Sequence, residues 1–179
     1  MDLEGYQVKL VRLQRKDLEM VRQWRNDPKI QQFMLSNSQI SKEQQQQWFD
    51  KVDADPKQLQ FVIYYKEAPI GAANLKVIIG ESVQNAQVVE PGLYIYEDKY
   101  RANLLAFAPT LLLNDYCFDV LKVENLRAVV KSDNVAALNY NKKLGYKVVK
   151  EGELVEIELD KPGYEEASKA LKGLLSRKS

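Results

Sequence analysis

Histidine is missing from all 179 residues of this sequence. Without histidine the chain cannot build a Ser-His triad, a Cys-His pair or a histidine-ligated metal centre. Any general base must therefore be a carboxylate, a lysine, a tyrosine or an ordered water. Cysteine occurs once, as Cys117, so no disulfide can form within the chain, and we expect this residue to be inert packing inside an apolar helix.

Strong net charge and long apolar runs are also missing. Lysine and arginine number 26 and aspartate and glutamate 25, which gives a formal net charge of +1. Such a balance creates no strong field toward nucleic acid or membrane surfaces. No apolar run is long enough to span a bilayer, and the acidic start of the chain lacks a secretory signal pattern. We therefore predict a cytoplasmic protein that binds neither nucleic acid nor membrane.

The composition otherwise fits one folded domain. Apolar residues make up 45% and charged residues 28% of the chain, which is the balance of a globular protein. No repeat, long linker or low-complexity block interrupts it, so residues 1–179 are predicted to form a single domain.

Capping and spacing signals predict two helices in the first third of the chain. Residues 6–13 are expected to form the first strand. Asp17 is the expected N-cap of the first helix, and Asp27-Pro28 is expected to end it. The segment Ser41-Lys42-Glu43-Gln44 is a capping box that opens the second helix.

The rest of the chain alternates strand and helix patterns. Strands are predicted over 59–65, 70–79, 87–96 and 126–131, with a hairpin over 146–159. Helices are predicted over 104–121 and 134–144. A C-terminal amphipathic helix is predicted from the apolar stripe formed by Tyr164, Ala167, Ala170, Leu171 and Leu174. The segment over 104–121 is apolar nearly all round and is predicted to be buried, with the regular helix starting near Ala106 so that Pro109 lies in its first turn. The predicted fold class is α+β, with a mixed, mostly antiparallel sheet flanked by helices.

The unit from strand 87–96 through a short loop to the helix over 104–121 can bind an anion. Backbone N–H groups point outward at a helix N-terminus, and the helix dipole adds about half a positive charge there. A cofactor pyrophosphate could sit at this point. Every α/β connection has such a terminus, however, so this feature alone indicates no particular ligand.

Two segments carry a more specific pattern. Residues 89–106 read VEPGLYIYEDKYRANLLA, in which Glu90, Gly92, Tyr100 and Arg101 have the type and spacing of a known signature. Residues 134–146 read NVAALNYNKKLGY and match a second signature at Asn134, Ala137, Lys143, Leu144, Gly145 and Tyr146. Together with WRNDPKI and ISKEQQQQWF, they resemble the GCN5-related N-acetyltransferase (GNAT) superfamily. The resemblance is to the subgroup that acts on ribosomal proteins and amino-sugar nucleotides.

The resemblance implies a sheet splayed at a cofactor site and acetyl-coenzyme A as acyl donor, with no metal. It implies that the cofactor is held by Tyr94, Ile95, Arg101, Ala102, Asn103, Leu104, Leu105, Ala106, Asn134, Asn141 and Lys143. It places the amine acceptor beside Trp24, Arg25, Asn26 and Glu90. For Arg25 a solvated helix end is an equally good interpretation, and for Lys143 a solvated helix face is the better one. An exposed strand edge near the C-terminus leaves pairing across a homodimer open.

The sequence departs from the family pattern in two places. Leu104 stands where the phosphate loop usually has glycine, the residue that lets backbone approach phosphate closely. We still expect N–H groups from the loop, provided that the leucine side chain points into the core. Asn141 stands where many relatives have a tyrosine that can protonate the departing thiolate. Tyr140, one residue earlier, lies about 100° away around a helix and is not expected to replace it. Asn141 either binds the sulfur or pantetheine or is simply a polar helix residue.

The resemblance also suggests a mechanism. Glu90 is the candidate general base, acting directly or through water, because partial burial would raise the pKa of its carboxyl. A solvated strand glutamate is the alternative. A backbone N–H near Tyr94 or Ile95 could bind the oxyanion that acyl transfer creates, beside a strand splayed by Pro91-Gly92.

Three functions remain open on sequence alone. The leading prediction is an N-acetyltransferase for a small amine, with an amino-sugar nucleotide as the favoured acceptor. The second is an enzyme that acetylates a protein N-terminal amine, such as that of a ribosomal protein. The third is a degenerate domain that binds acyl-CoA without catalysis, an alternative kept open by the altered phosphate loop and the missing tyrosine.

Overall fold

Eight strands form one open sheet in the computed structural model, which describes residues 2–36 and 38–176. The strands are β1 (Asp2–Gly5), β2 (Val8–Arg12), β3 (Gln58–Tyr65), β4 (Ala68–Ile79), β5 (Val88–Ile95), β6 (Asn125–Lys131), β7 (Lys147–Lys150) and β8 (Leu154–Asp160). Their order in the sheet is β1-β2-β3-β4-β5-β6-β8-β7. All neighbours run antiparallel except β5 and β6, which run parallel. The predicted mixed, mostly antiparallel sheet is confirmed.

Six α-helices cover parts of this sheet in the described ranges. They are α1 (Leu18–Asn26), α2 (Pro28–Gln31), α3 (Lys42–Asp53), α4 (Ala108–Asp115), α5 (Val135–Lys143) and α6 (Lys161–Leu175). The predicted capping box is present, since Gln44 N donates to Ser41 Oγ and Ser41 N donates to Gln44 Oε1. Within these described ranges, no helix is long and apolar enough to cross a bilayer.

The two faces of the sheet have separate cores. The larger core joins the sheet to α4 and α6 and includes Leu75, Leu111, Phe118, Leu126 and Tyr164. The smaller core joins the other face to α1 and α3 and consists of Leu13, Leu18, Val21, Trp24, Phe49 and Val62. Because successive residues of a strand face opposite sides, neighbouring residues of β4 and β5 reach different cores.

The start of the chain differs from the prediction. The strand expected over 6–13 begins at Val8, and a further strand, β1, pairs with it through a turn at Tyr6 and Gln7. These two residues have φ angles of 51° and 74°. Positive φ is costly for residues other than glycine or asparagine. Tyr6 and Gln7 are neither, so nothing in the sequence indicated a hairpin turn at this point.

Three helix predictions also need correction. The segment expected as a continuous helix over 104–121 is a 3₁₀ turn, then α4, then a π-helical turn at Tyr116–Val120. Asp17 accepts from Gln14 N and does not cap α1 with its side chain. On α6 the buried residues are Tyr164, Ser168 and Leu175, whereas Ala170 and Leu174, predicted in the apolar stripe, are exposed.

Candidate active site

The parallel strands β5 and β6 stay together for only two residue pairs. Val88 lies opposite Asn125 and Val89 opposite Leu126, and beyond these pairs β5 has no β6 partner. Pro91, which lacks an N–H, falls in this unpaired part, so its missing donor costs no hydrogen bond to β6. The strand that Pro91-Gly92 was expected to splay has a local edge here, inside the sheet. A gap between the strands therefore opens at Glu90.

Glu90 is the first residue of β5 beyond the last paired position. Its side chain is half-buried. Burial raises the pKa of its carboxyl above the ordinary glutamate value, and the positive charges of Lys76 and Arg127 partly oppose that rise. A carboxylate with a raised pKa is a better proton acceptor, which is the property that a general base needs.

The register of β4 and β5 shows which face Glu90 occupies. Lys76 lies opposite Glu90, Asn74 opposite Gly92 and Ala72 opposite Tyr94. Ala72 in turn lies opposite Val62, a member of the smaller core. The side chains of Glu90 and Tyr94 therefore share the face that carries α1 and α3, which the resemblance assigned to the acceptor.

Aromatic packing fixes the far end of β5 against α1. The Trp24 indole, 7% exposed, stacks on Tyr96 at 5.4 Å and meets Tyr94 edge-on at 6.4 Å. Tyr96 donates from its hydroxyl to Asp27 Oδ2 at 2.8 Å. Trp24 thus lies in the smaller core.

The hydroxyl of Tyr94 is buried without a hydrogen-bond partner among the described residues. Burial raises the pKa of this phenol, and the nearby guanidinium of Arg25 partly opposes the rise. Arg25 is half-buried and forms no ion pair within the described part of the chain. Two hydrogen-bond donors without protein partners therefore stand close together beside the acceptor face.

Asn26, also predicted at the acceptor, has a structural task in this arrangement. Its Nδ2 donates to Ile40 O at 2.9 Å, and its Oδ1 accepts from Ile40 N at 2.8 Å. Both ends of the amide therefore hold the segment that leads into α3.

The loop before α4 is closed by its own hydrogen bonds. Asn103 Oδ1 accepts from Leu105 N at 3.0 Å, and Asn103 O accepts from Ala106 N at 3.0 Å. The side chain of Leu104 is 37% exposed, not packed in the core as its predicted role required. Ala102 is exposed as well. Two of the four backbone donors expected for a pyrophosphate, those of Leu105 and Ala106, are thus used within the loop.

Arg101 begins this loop and carries the positive charge expected there. It forms an ion pair with Asp98, which Lys29 Nζ also approaches at 3.5 Å. The guanidinium is half-buried. It lies just before the 3₁₀ turn that leads into α4.

Helix α5 is tied to the first turns of α4. The hydroxyl of Tyr140 donates to Ala106 O at 2.8 Å and also contacts Thr110 Oγ1, and its ring stacks on Phe107 at 4.6 Å. The Tyr140 proton is thus engaged, in line with the expectation that this residue is not the general acid. Asn141 Nδ2 donates to Ala137 O at 2.9 Å.

The ends of α5 hold two other predicted residues. Asn134 is the N-cap, and its side chain accepts from Ala137 N at 3.1 Å. Lys143 is exposed in the last turn, which leaves its ammonium in solvent.

The strand pair separates where β5 continues without β6, and the chain then leads through the loop at Arg101 into α4. Beyond Val89 the main chain of β5, including Tyr94 and Ile95, has no partner on β6, and it and the charge of Arg101 are the candidates for holding an acyl-CoA. The sheet order and this opening agree with the class that the resemblance implies, an acyltransferase that takes its acyl group from a coenzyme A thioester.

Comparison with known proteins specifies the family. The chain belongs to the GNAT family, since the family model described as Acetyltransferase (GNAT) domain matches residues 7–147. It is 30% identical over 129 residues to the acetyltransferase PseH of Campylobacter jejuni, covering 70% of this chain and 74% of that protein. It is 28% identical over 151 residues to spermidine N(1)-acetyltransferase of Escherichia coli, covering 84% and 77% of the two chains.

A solved structure agrees with the fold. The aminoglycoside acetyltransferase AAC(6')-Ib, in complex with coenzyme A and kanamycin, superimposes with a TM-score of 0.74 at 17% identity over 89% of this chain and 98% of that one. As a member of the GNAT family with named acetyltransferase relatives, the protein is an acetyl-CoA-dependent N-acetyltransferase.

Proposed function

We propose that this enzyme acetylates the primary amine of a small acceptor, with an amino-sugar nucleotide as the leading class and Glu90 as general base. The observation that carries the proposal is the position of Glu90, a half-buried carboxylate with a raised pKa where β5 leaves β6. The acceptor amine would lie on the α1 and α3 face, and the cofactor in the gap.

The chemistry assigned to Glu90 follows from the state of the acceptor. A primary amine is mostly protonated at neutral pH and must lose a proton before it can attack a carbonyl. The Glu90 carboxylate takes that proton, directly or through a water. Acetyl-CoA, when bound, supplies the thioester that the free amine attacks. Main-chain N–H groups near Tyr94 and Ile95 are the candidate donors to the carbonyl oxygen.

Asn141 remains a candidate for binding near the thioester. Its Nδ2 donates one N–H to Ala137 O, so its second N–H and its Oδ1 are left for a contact. A carboxamide does not give up a proton at neutral pH, so we propose that proton return to the leaving group proceeds through water.

A polyamine is the second candidate acceptor. It is favoured by the relative named spermidine N(1)-acetyltransferase, which covers more of this chain than PseH does. The aminoglycoside acetyltransferase supports the first class, because an aminoglycoside carries amines beside hydroxyl groups. We further propose that the enzyme works in the cytoplasm, where its lone buried Cys117 stays reduced.

A thiol-release assay over a panel of acceptors tests this proposal. Purified enzyme and acetyl-CoA are mixed with amino-sugar nucleotides, amino sugars, polyamines and N-terminal peptides, and free coenzyme A is measured. We expect the highest kcat/KM for an amino-sugar nucleotide. A preference for peptides of more than tenfold over every small amine would overturn the assignment.

A further inference from the structure

On the face of β4 and β5 that carries Glu90, the side chain of Asn74 is polar and has no role in the proposed mechanism. Asn74 lies opposite Gly92, between the row of Lys76 and Glu90 and the row of Ala72 and Tyr94. Side chains on diagonal positions of neighbouring strands are about 7–8 Å apart at Cα, within reach of one small molecule. Asn74 is therefore a neighbour of Glu90 on the proposed acceptor face.

The lack of a side chain at Gly92 leaves space for the Asn74 amide. A Cβ added to Gly92 would lie 2.6 Å from Asn74 Oδ1, closer than real contacts allow. The φ angle of Gly92 is not in the left-handed region, so its backbone conformation is open to any residue. The glycine leaves space at this position, and the occupant of that space is the amide oxygen of Asn74, which a methyl group would displace.

The Asn74 amide has hydrogen-bonding capacity to spare. The residue is half-buried, and none of the side-chain hydrogen bonds found within the described ranges involves its amide. Asn26, Asn103, Asn134 and Asn141, in contrast, all use their side chains in hydrogen bonds to backbone. With Oδ1 turned to Gly92, Nδ2 is left as a donor.

We propose that Asn74 is an acceptor-binding residue whose Nδ2 donates to an oxygen close to the reacting amine. The inference rests on the proposed function and narrows its substrate class to amines that carry a neighbouring hydroxyl or carbonyl oxygen, as amino sugars do. A linear polyamine has no such oxygen. Glu90 receives the proton of the amine while Asn74 orients the acceptor through the oxygen.

Three variants test the role of Asn74 and of the neighbouring Gly92, namely Asn74→Ala, Gly92→Ala and the double variant. Loss of one hydrogen bond is expected to raise the KM of the amino-sugar acceptor about tenfold in Asn74→Ala. The KM of acetyl-CoA should stay within about twofold. Gly92→Ala should raise the acceptor KM similarly by displacing the amide, and the double variant should be no worse than Asn74→Ala. Gly173→Ala, where an added Cβ meets nothing within 4 Å, is the matched control for a new methyl group.

The acceptor panel separates the possible failures. An unchanged amino-sugar KM in Asn74→Ala, with wild-type enzyme active, overturns this inference alone. An equal rise in KM for spermidine overturns the substrate class. Wild-type enzyme that acetylates no amine in the panel removes the proposed function and this inference with it.

Chemical denaturation tests the geometry without any activity. Gly92→Ala should change the urea midpoint less favourably in the wild-type background than in the Asn74→Ala background, because the clash needs both side chains whereas the gain from replacing a glycine does not. An equal loss in both backgrounds would show that Gly92 is required for another reason.

Discussion

At the residue scale, Tyr94 combines a well-packed ring with a hydroxyl that has no hydrogen-bond partner among residues 2–36 and 38–176. The ring meets Trp24 edge-on, while the hydroxyl is buried among groups that do not hydrogen-bond it. An unpaired buried polar group costs about 1–3 kcal/mol of folding free energy. A group kept at such a cost is a candidate for ligand contact, here together with Arg25.

Tyr94→Phe should therefore leave the protein equally stable or more stable, by up to about 1 kcal/mol. The ring and its packing are kept, and only the unpaired hydroxyl is lost. Urea unfolding of the two proteins measures the change. Tyr96→Phe is the matched control, because it removes a hydroxyl that donates to Asp27 Oδ2 and should destabilise. A loss of stability in Tyr94→Phe as large as in the control would show that the hydroxyl has a partner.

Glu90→Gln should abolish the acidic limb of the pH–rate profile and lower kcat by about 10²–10⁴ at pH 7. Since burial raises the carboxyl pKa, the active carboxylate of the wild type appears only as pH rises through a pKa above the ordinary glutamate value. The wild-type limb should thus lie above that value. An unchanged rate and profile in the variant would exclude Glu90 as the base.

The raised pKa of Glu90 also predicts how the stability of the protein depends on pH. A carboxyl with a raised pKa in the folded state loses its contribution to stability as pH rises through that pKa, because charging it in a partly buried site is unfavourable. Glu90→Gln should consequently be no less stable than wild type at pH 7, which separates a catalytic loss from unfolding. Thermal melting at pH 5 and pH 7 gives the comparison.

At the scale of single elements, Tyr140 connects α5 to the turn that precedes α4. Tyr140→Phe removes the donation to Ala106 O and the contact with Thr110 but keeps the stack on Phe107. We expect a loss of about 1 kcal/mol and a raised KM for acetyl-CoA, with kcat within a few-fold of wild type. A fall in kcat by two orders of magnitude would instead identify Tyr140 as the acid.

The elements show what the sequence could and could not predict. Capping by Ser41 and Gln44 is local chemistry, so it was predicted correctly. The apolar run over 104–121 is apolar on every side, and such a pattern does not distinguish 3₁₀, α and π turns. The β1–β2 turn uses a tyrosine and a glutamine at positive φ, for which composition gives no signal.

The candidate site likewise contains residues that the sequence could predict and one that it could not. Glu90 and Arg101 fall within a contiguous signature and could be named from sequence. Asn74 could not, because its importance depends on lying opposite Gly92, a residue 18 positions away. Strand register is set by the whole sheet and is not carried by any one segment.

At the scale of the whole molecule, Asp115 joins three parts of the chain. Its carboxylate accepts from the hydroxyls of Tyr6 and Tyr164, the latter at 2.7 Å, and pairs with Lys172 Nζ at 2.8 Å. These partners belong to the N-terminal hairpin and to α6, whereas Asp115 ends α4. The beginning and end of the described chain are thus fastened to the central helix through one side chain.

Asp115→Ala should lower the free energy of unfolding by about 3 kcal/mol, since it leaves the Tyr6 hydroxyl and the Lys172 ammonium without their acceptor, while the Tyr164 hydroxyl keeps Leu111 O. Asp119→Ala is the control, because Asp119 is exposed and only approaches Lys161 Nζ at 3.4 Å. Exposed pairs contribute at most about 1 kcal/mol. Urea denaturation of both variants gives the comparison, and equal losses would contradict the joining role of Asp115.

The opening between β5 and β6 also decides how the enzyme could be inhibited. The loop that leads into α4 and the face that carries Glu90 and Asn74 approach this opening from different sides. A bisubstrate inhibitor, with coenzyme A linked to an amino sugar, would have to thread the opening. Once threaded, it would exclude both substrates at once, so each substrate should compete with it and a saturating concentration of either one should displace it.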